Sequence, residues 1–238
     1  MQTSTEVGFG LIAALAAAAY RTGALDDKGI ATSVVIGSLV LLLGGIYPFL
    51  ALVTFVVAGV VATRYRFSEK VRMGSSQRYE KTRSAGNVLG NGLGVLLFLI
   101  IEMLTRRDVF WAATFSAIAT VNGDTLASEL GKVLGKRPRL ITNLKPVHPG
   151  TNGGITIQGE LAALLGVGMI VPFVLPLTSH WLQVALAVGL GGLIGVNADS
   201  LIGATLENRG ITDNNTTNLI ASVIGGLTGG LAFFLLGG

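Results

Sequence analysis

The 238-residue chain has no cysteine and only two histidines. Disulfides, thiolate nucleophiles and cysteine-based zinc or iron–sulfur centres are therefore excluded. His148 and His180 are too few and too far apart for a histidine metal site, and both read as loop residues. Charge is scarce as well. Asp, Glu, Lys and Arg make up 13% of the chain, about half of the ~25% usual for a soluble domain. Aromatics are 7% and do not interleave with the basic residues, so a nucleic-acid partner is not expected. The P-loop pattern Gly-x-x-x-x-Gly-Lys-[Ser/Thr] is absent, which excludes a Walker-type nucleotide site.

What the chain has is apolar length. Half of its residues are hydrophobic and 34 are glycine. Uncharged runs near 18 residues argue for a polytopic, all-α membrane protein rather than a soluble helical one. Eight spans are predicted: 7–20, 30–46, 47–62, 90–104, 110–127, 155–177, 181–202 and 219–236. The first and fourth are short for a ~30 Å hydrocarbon layer, which takes ~20 helical residues. Seven spans with one re-entrant piece is the alternative. Pro48 can open its helix, and Pro172 and Pro176 should bend or end theirs. No basic residue precedes the first run, so no cleavable signal peptide is expected.

The chain reads as a single integral membrane domain over 1–238, with polar loops at 64–92 and 128–154 forming the site. The first loop carries Arg64, Arg66, Lys70, Arg72, Arg78, Lys81 and Arg83. The second carries Lys132, Lys136, Arg137, Arg139 and Lys145. The positive-inside rule places both in the cytoplasm. With eight spans, 15 of the 17 Lys and Arg fall on that side, leaving only Arg106 and Arg107 outside. Both termini are then expected outside.

The polar residues converge on the same face. Val121-Asn122-Gly123-Asp124-Thr125-Leu126 recurs as Val196-Asn197-Ala198-Asp199-Ser200-Leu201, each copy at the end of a hydrophobic segment. The copies share orientation, which suggests duplicated parallel hairpins related by an axis near the membrane normal. An acid near the apolar zone costs ~3 kcal/mol or more and is a functional hypothesis by default. Asp124 stacks with Ser128 at i, i+4, and Thr125 with Glu129. Asp124 and Glu129 lie about 140° apart at 3.6 residues per turn; they can flank one cavity. Asp124 and Asp199 are the better pair for Mg²⁺, which takes few carboxylates and keeps water and phosphate oxygens. The bland reading makes each Asp a cap or an arginine partner.

Three further stretches carry polar chemistry. Gly150-Thr151-Asn152-Gly153-Gly154 can turn backbone N–H groups toward one anion, or can be a plain capped turn. Asn87 and Asn91 share a helical face, while Gly86, Gly90 and Gly94 form a ridge for close helix contact. Asp213-Asn214-Asn215-x-x-Asn218 precedes the last span and reads as an N-cap cluster or as ligand contacts. Glu160 can reach the same face.

Several of these stretches together resemble a known family. They are Gly123-Asp124-Thr125-x-Ala127-Ser128-Glu129-x-Gly131, Pro138-Arg139-Leu140-Ile141-Thr142 and Gly150-Thr151-Asn152-Gly153-Gly154-x-Thr156. With them go Asp199-Ser200-x-x-Gly203-Ala204-Thr205, Asp213-Asn214-Asn215-x-x-Asn218 and the pair Asn91-Gly92. The family is that of the integral membrane proteins that include plant phytyl-phosphate kinase. The likeness runs from about residue 80 to the C-terminus; before that it is only hydrophobic spans. The Gly-Asp element also resembles dolichol and phytol kinases, which act on the alcohol.

The resemblance implies phosphorylation of a prenyl monophosphate by a nucleoside triphosphate, CTP favoured. Asp124, Glu129 and Asp199 would be the catalytic acids, with Asp124 and Asp199 on Mg²⁺. Lys132, Arg139, Lys145 and the glycine loop would meet phosphate, and Asn87, Asn91, Asn122, Ser128, Asn197, Asn214 and Asn218 would complete the binding set. The expected partners are a prenyl lipid, a nucleotide and the bilayer, with a homodimer permitted by the glycine ridges. A lipid transporter or scramblase, or a scaffold whose acids only order the loops, are the readings from other classes.

Overall fold

The computed structural model describes residues 2–72 and 82–238. Arg78 and Lys81 of the first basic loop lie outside the described residues. Eight long helices and one short one are found among the described residues: α1 (Gln2–Thr22), α2 (Asp27–Gly44), α3 (Ile46–Arg64), α4 (Phe67–Arg72), α5 (Ala85–Thr105), α6 (Asp108–Leu134), α7 (Ile157–Ile170), α8 (Trp181–Thr205) and α9 (Asn214–Leu235). Seven are long and apolar enough to cross a membrane, α7 counting with its extension to Leu177 and α8 with its extension to Arg209. The protein is thus an all-α polytopic membrane protein.

Helix boundaries follow local chemistry. Asp26 caps α2, its carboxylate accepting from Gly29 N at 2.5 Å. Pro48 sits in the first turn of α3, where its missing N–H goes unneeded. α7 stops at Ile170, and short 3-10 turns at Val171–Phe173 and Leu175–Leu177 follow, where Pro172 and Pro176 cannot donate to a regular helix. The first and fourth spans are not short. α1 and α5 are each 21 residues, because both recruit polar residues at their starts. In α5 these include Asn87.

α6 organises the bundle. It packs against α3, α5, α7, α8 and α9. At 27 residues it is about 40 Å long at 1.5 Å per residue. From Ala112 to Leu126 all but Asp124 are buried, and most are Ala, Ser, Thr, Gly or Val. Such a surface lets neighbouring backbones approach closely. At Gly166 on α7, an added methyl would sit 2.8 Å from Gly123 Cα. Around this axis lie the large core side chains Phe49, Phe55, Phe98, Phe115 and Ile170. Leucines and valines of the outer helices, such as Val61, Leu165 and Leu190, face outward, as a surface solvated by lipid tails requires.

The two Val-Asn-x-Asp copies meet inside this packing. A methyl on Gly123 of the first copy would fall 2.9 Å from Val196 of the second. The helices do not end at these copies, as the apolar runs suggested. α6 continues to Leu134 and α8 to Thr205, so each aspartate projects from within a helix.

Candidate functional site

A cavity of about 1150 Å³ opens at the end of the bundle where α5 and α9 begin and where α6 and α8 finish. Its acidic wall collects Asp124 and Glu129 of α6, Glu160 of α7, Asp199 of α8, and Glu207 and Asp213 from the α8–α9 connection. The predicted meeting of Asp124 and Asp199 is therefore present: both line one cavity, and the charge of Asp124 acts on Asp199. Asp199 Oδ2 is buried and has no hydrogen-bond partner among the described residues. Neither aspartate forms an ion pair with a loop arginine among the described residues.

The glycine loop closes one side. β1 (Arg139–Leu140) pairs antiparallel with β2 (Gly154–Ile155), Arg139 opposite Ile155, which folds 135–156 into a hairpin. Ile141 N donates to Gly153 O at 2.9 Å. Gly153 has φ +72°, and a methyl there would sit 2.5 Å from Ser200 O. Only glycine lets this backbone lie flat on α8 beside Asp199. Gly150, Thr151, Asn152, Gly153 and Gly154 all line the cavity. The loop is not itself a helix start, however. α7 begins three residues later, at Ile157, with Thr156 as its cap, Oγ1 accepting from Gly159 N at 3.0 Å.

Asn87, Asn91, Asn214 and Asn218 line the opposite rim, and Ser128 and Lys132 the α6 side. Asn91 is mostly buried, and its Nδ2 donates to Asn87 O at 2.7 Å. Asp213 caps α9, accepting from Thr216 N at 2.8 Å. Hydrogen bonds from the Thr216 side chain and backbone hold its carboxyl below the usual range.

Four residues proposed from sequence stand apart from the cavity lining. Asn122 is fully buried and donates to Gly166 O at 2.7 Å, tying α6 to α7. Asn197 donates to Leu193 O at 3.0 Å and touches Glu160 at 3.5 Å, so it meets the site only through that acid. Arg139 is exposed, its Nη1 donating to Leu144 O at 2.7 Å, because the hairpin turns it onto the loop's own turn. Lys145 is also exposed, in the same turn.

Two basic residues have specific places that a charge count does not reveal. Lys70 of α4 is completely buried, and its Nζ donates to Glu129 at 2.6 Å and to Ala62 O at 2.7 Å. Arg83 lines the cavity with its guanidinium carbon 6.0 Å from the centre of the Phe55 ring. Burial pulls it below its ordinary value, with Glu129 opposing that shift, and it stays charged at neutral pH. The alternation of apolar and basic residues around 67–72 was the only sequence signal for Lys70.

The donor set suits a hard divalent cation. It is all carboxylate and amide oxygen, which favours Mg²⁺ over softer metals. Among the described residues no three acids form a ready-made cage. Mg²⁺ requires none, since it binds through one or two carboxylates plus water and phosphate. The unpartnered Asp199 oxygen, in the same cavity as Asp124, has that character.

Comparison with known proteins places this architecture. The model of the family described as integral membrane protein DUF92 matches residues 10–230, so the motif-poor N-terminal third belongs to the family unit as well. An uncharacterised membrane protein of Methanocaldococcus jannaschii is 36% identical over 228 residues, covering 95% of this chain and 93% of its own. The chloroplast protein VTE6 of Arabidopsis thaliana is 29% identical over 78% of this chain and 57% of its own. Protein PGR of the same plant is 43% identical over 39% of this chain and 36% of its own. The chain thus spans nearly all of the archaeal relative but little more than half, or less, of the plant ones. No solved structure matches it. With the family model covering nearly its whole length, the chain belongs to the DUF92 family of integral membrane proteins.

Proposed function

We propose that the protein is a membrane prenyl-phosphate kinase. In this reading it moves the γ-phosphoryl group of a nucleoside triphosphate, CTP favoured, to a prenyl monophosphate at the cytoplasmic face. The observation that carries it is the single cavity where Asp124, Asp199 and the glycine loop face one another at one end of an apolar bundle. The resemblance to the family of plant phytyl-phosphate kinase supports the same chemistry.

Phosphoryl transfer asks for positioning and charge neutralisation rather than covalent help. An oxygen of the acceptor phosphate attacks the γ-phosphorus, the bond from that phosphorus to the β,γ-bridging oxygen breaks, and the nucleoside diphosphate leaves. Asp124 and Asp199 would hold Mg²⁺, which supplies charge neutralisation on the nucleotide phosphates. The N–H groups of Thr151 and Gly154 donate within the turn, to His148 O and Thr151 O; the rest of the 150–154 backbone would meet the phosphate chain, and Lys132 would add positive charge on the α6 side. The acceptor is already ionised at pH 7, since its second pKa is ~6, so no general base is needed. The state of Glu129 agrees: it is held by Lys70 rather than free to take a proton. This favours a monophosphate acceptor over an alcohol.

The test is thin-layer analysis of lipid products after incubating purified protein with Mg²⁺, each nucleoside triphosphate and a panel of prenyl phosphates and alcohols. The reading expects a diphosphate product from monophosphates. Absence of any transfer, together with lipid flux in proteoliposomes, would transfer the assignment to a transporter.

A further inference from the structure

We propose that Arg83 is the anchor for the acceptor's own phosphate, and that the acceptor therefore lies with its head on the α3–α5 side and its tail over α3. This rests on the phosphoryl-transfer reading and adds to it where the second substrate sits.

Among the described residues, the cations lining the cavity are Arg64, Arg83 and Lys132. Lys132 is engaged on the acidic side, where its charge acts on Asp124. Arg64 is exposed at the rim. Arg83 is the one set in the wall between these two. Its side chain forms no ion pair or hydrogen bond with the described residues, and the acid whose charge it feels, Glu129, is already bound by Lys70 at 2.6 Å. Yet the arginine is held in place. Its backbone N donates to Ala24 O at 2.9 Å, and its carbonyl accepts from Asp26 N at 3.2 Å. Its guanidinium rests near Phe55, and its Nη2 lies 3.2 Å from where a methyl on Gly59 would be. A partly desolvated guanidinium that lines the cavity, fixed at its base and braced on Gly59 and Phe55, can offer a phosphate two N–H donors at once. A prenyl alcohol offers it a single neutral acceptor, with neither the charge nor the second oxygen.

The neighbouring wall fits a lipid tail. Val60 of α3 lines the cavity beside Arg83, and Val57 and Val61 on the same helix face outward, 48% and 64% exposed. An alkyl chain leaving the cavity past Val60 meets Val57, one turn back on the same face of α3, and from there the outward apolar surface of the helix. Asp124 and Asp199 line the same cavity from α6 and α8, which leaves the α3 side for the acceptor.

The experiment is steady-state kinetics of R83Q and R83K against prenyl monophosphate and nucleotide separately. It is paired with direct binding of prenyl monophosphate and of the matching alcohol in detergent by native mass spectrometry. Losing a charged bidentate contact should raise the acceptor KM about 10- to 100-fold while the nucleotide KM stays unchanged. R83K, which keeps charge but not the fork, should fall between. The wild type should bind monophosphate more tightly than alcohol, and R83Q should lose that preference. If R83Q does not fold, R83K alone decides: an unchanged acceptor KM overturns the assignment. A loss confined to nucleotide KM also overturns it. If no acceptor is turned over but the Arg83-dependent preference for monophosphate persists, the kinase reading fails and the anchor stands.

Discussion

At the scale of residues, the site shows chemistry kept at some cost to stability. A carboxylate oxygen with no partner is expensive to bury, and Asp199 Oδ2 is such an atom. Asp199→Asn should therefore raise the melting temperature, by the equivalent of about 1 kcal/mol, while lowering kcat at least ~100-fold; scanning fluorimetry and label transfer on the same preparation check both. The Lys70–Glu129 pair behaves in the opposite way. Lys70 is fully enclosed, so Lys70→Met strands Glu129 and should destabilise by about 3–5 kcal/mol, visible as a lower melting temperature. Glu129→Gln should destabilise too, but turnover per folded molecule should stay near wild type if the acceptor is a monophosphate. The aspartate pair was legible in the sequence because a repeated motif with an acid in an apolar run has few structural uses. The roles of Lys70 and Arg83 were not. A basic loop looks alike whether its residues are solvated, buried in an ion pair or laid near a ring, and only the tertiary packing of α3, α4 and α6 separates these. Asn122 and Asn197 teach the same lesson, for equivalent positions in the two copies take different partners.

At the scale of elements, small residues decide how the site closes. The hairpin of 135–156 lies against α8 through Gly153, whose φ of +72° and contact with Ser200 O leave no room for a side chain. Gly153→Ala should lift the loop from α8 and raise the nucleotide KM about tenfold or more, with little change in melting temperature, since the loop is peripheral to the core. Kinetics with saturating acceptor measure this directly. The helices themselves were legible from hydrophobic length: eight spans are read from the sequence, eight long helices are found among the described residues, and seven of these are long and apolar enough to cross a membrane. Their ends were not legible. α6 and α8 run on past the acids, and α5 begins earlier than its apolar run, because polar side chains at this end are sheltered by neighbouring helices and need not terminate a helix; α1 gains its extra residues at the other end, where Thr3, Ser4 and Glu6 are exposed. Asn87 became part of α5 for that reason.

At the scale of the whole molecule, the candidate site residues gather at one end. α5 runs away from the cavity and finishes at Arg106 in a left-handed turn, which puts Arg106 and Arg107 at the far end. The positive-inside rule then predicts the cavity in the cytoplasm. The absence of native cysteine makes this simple to test. A single cysteine at Lys136 should react with an impermeant maleimide only after the cell is opened, and one at Arg107 should react in intact cells; the reverse pattern inverts the orientation. The central claim is that Asp124 and Asp199 form the nucleotide end of one phosphoryl-transfer site. Its most direct measurement follows label from the γ-position of CTP, with Mg²⁺, into prenyl diphosphate in wild type, Asp124→Asn and Asp199→Asn. The expected result is labelled diphosphate from the wild type, abolished by chelator and by either substitution in protein that remains folded. Equal labelling from all three proteins, or labelling that survives chelation, would contradict it.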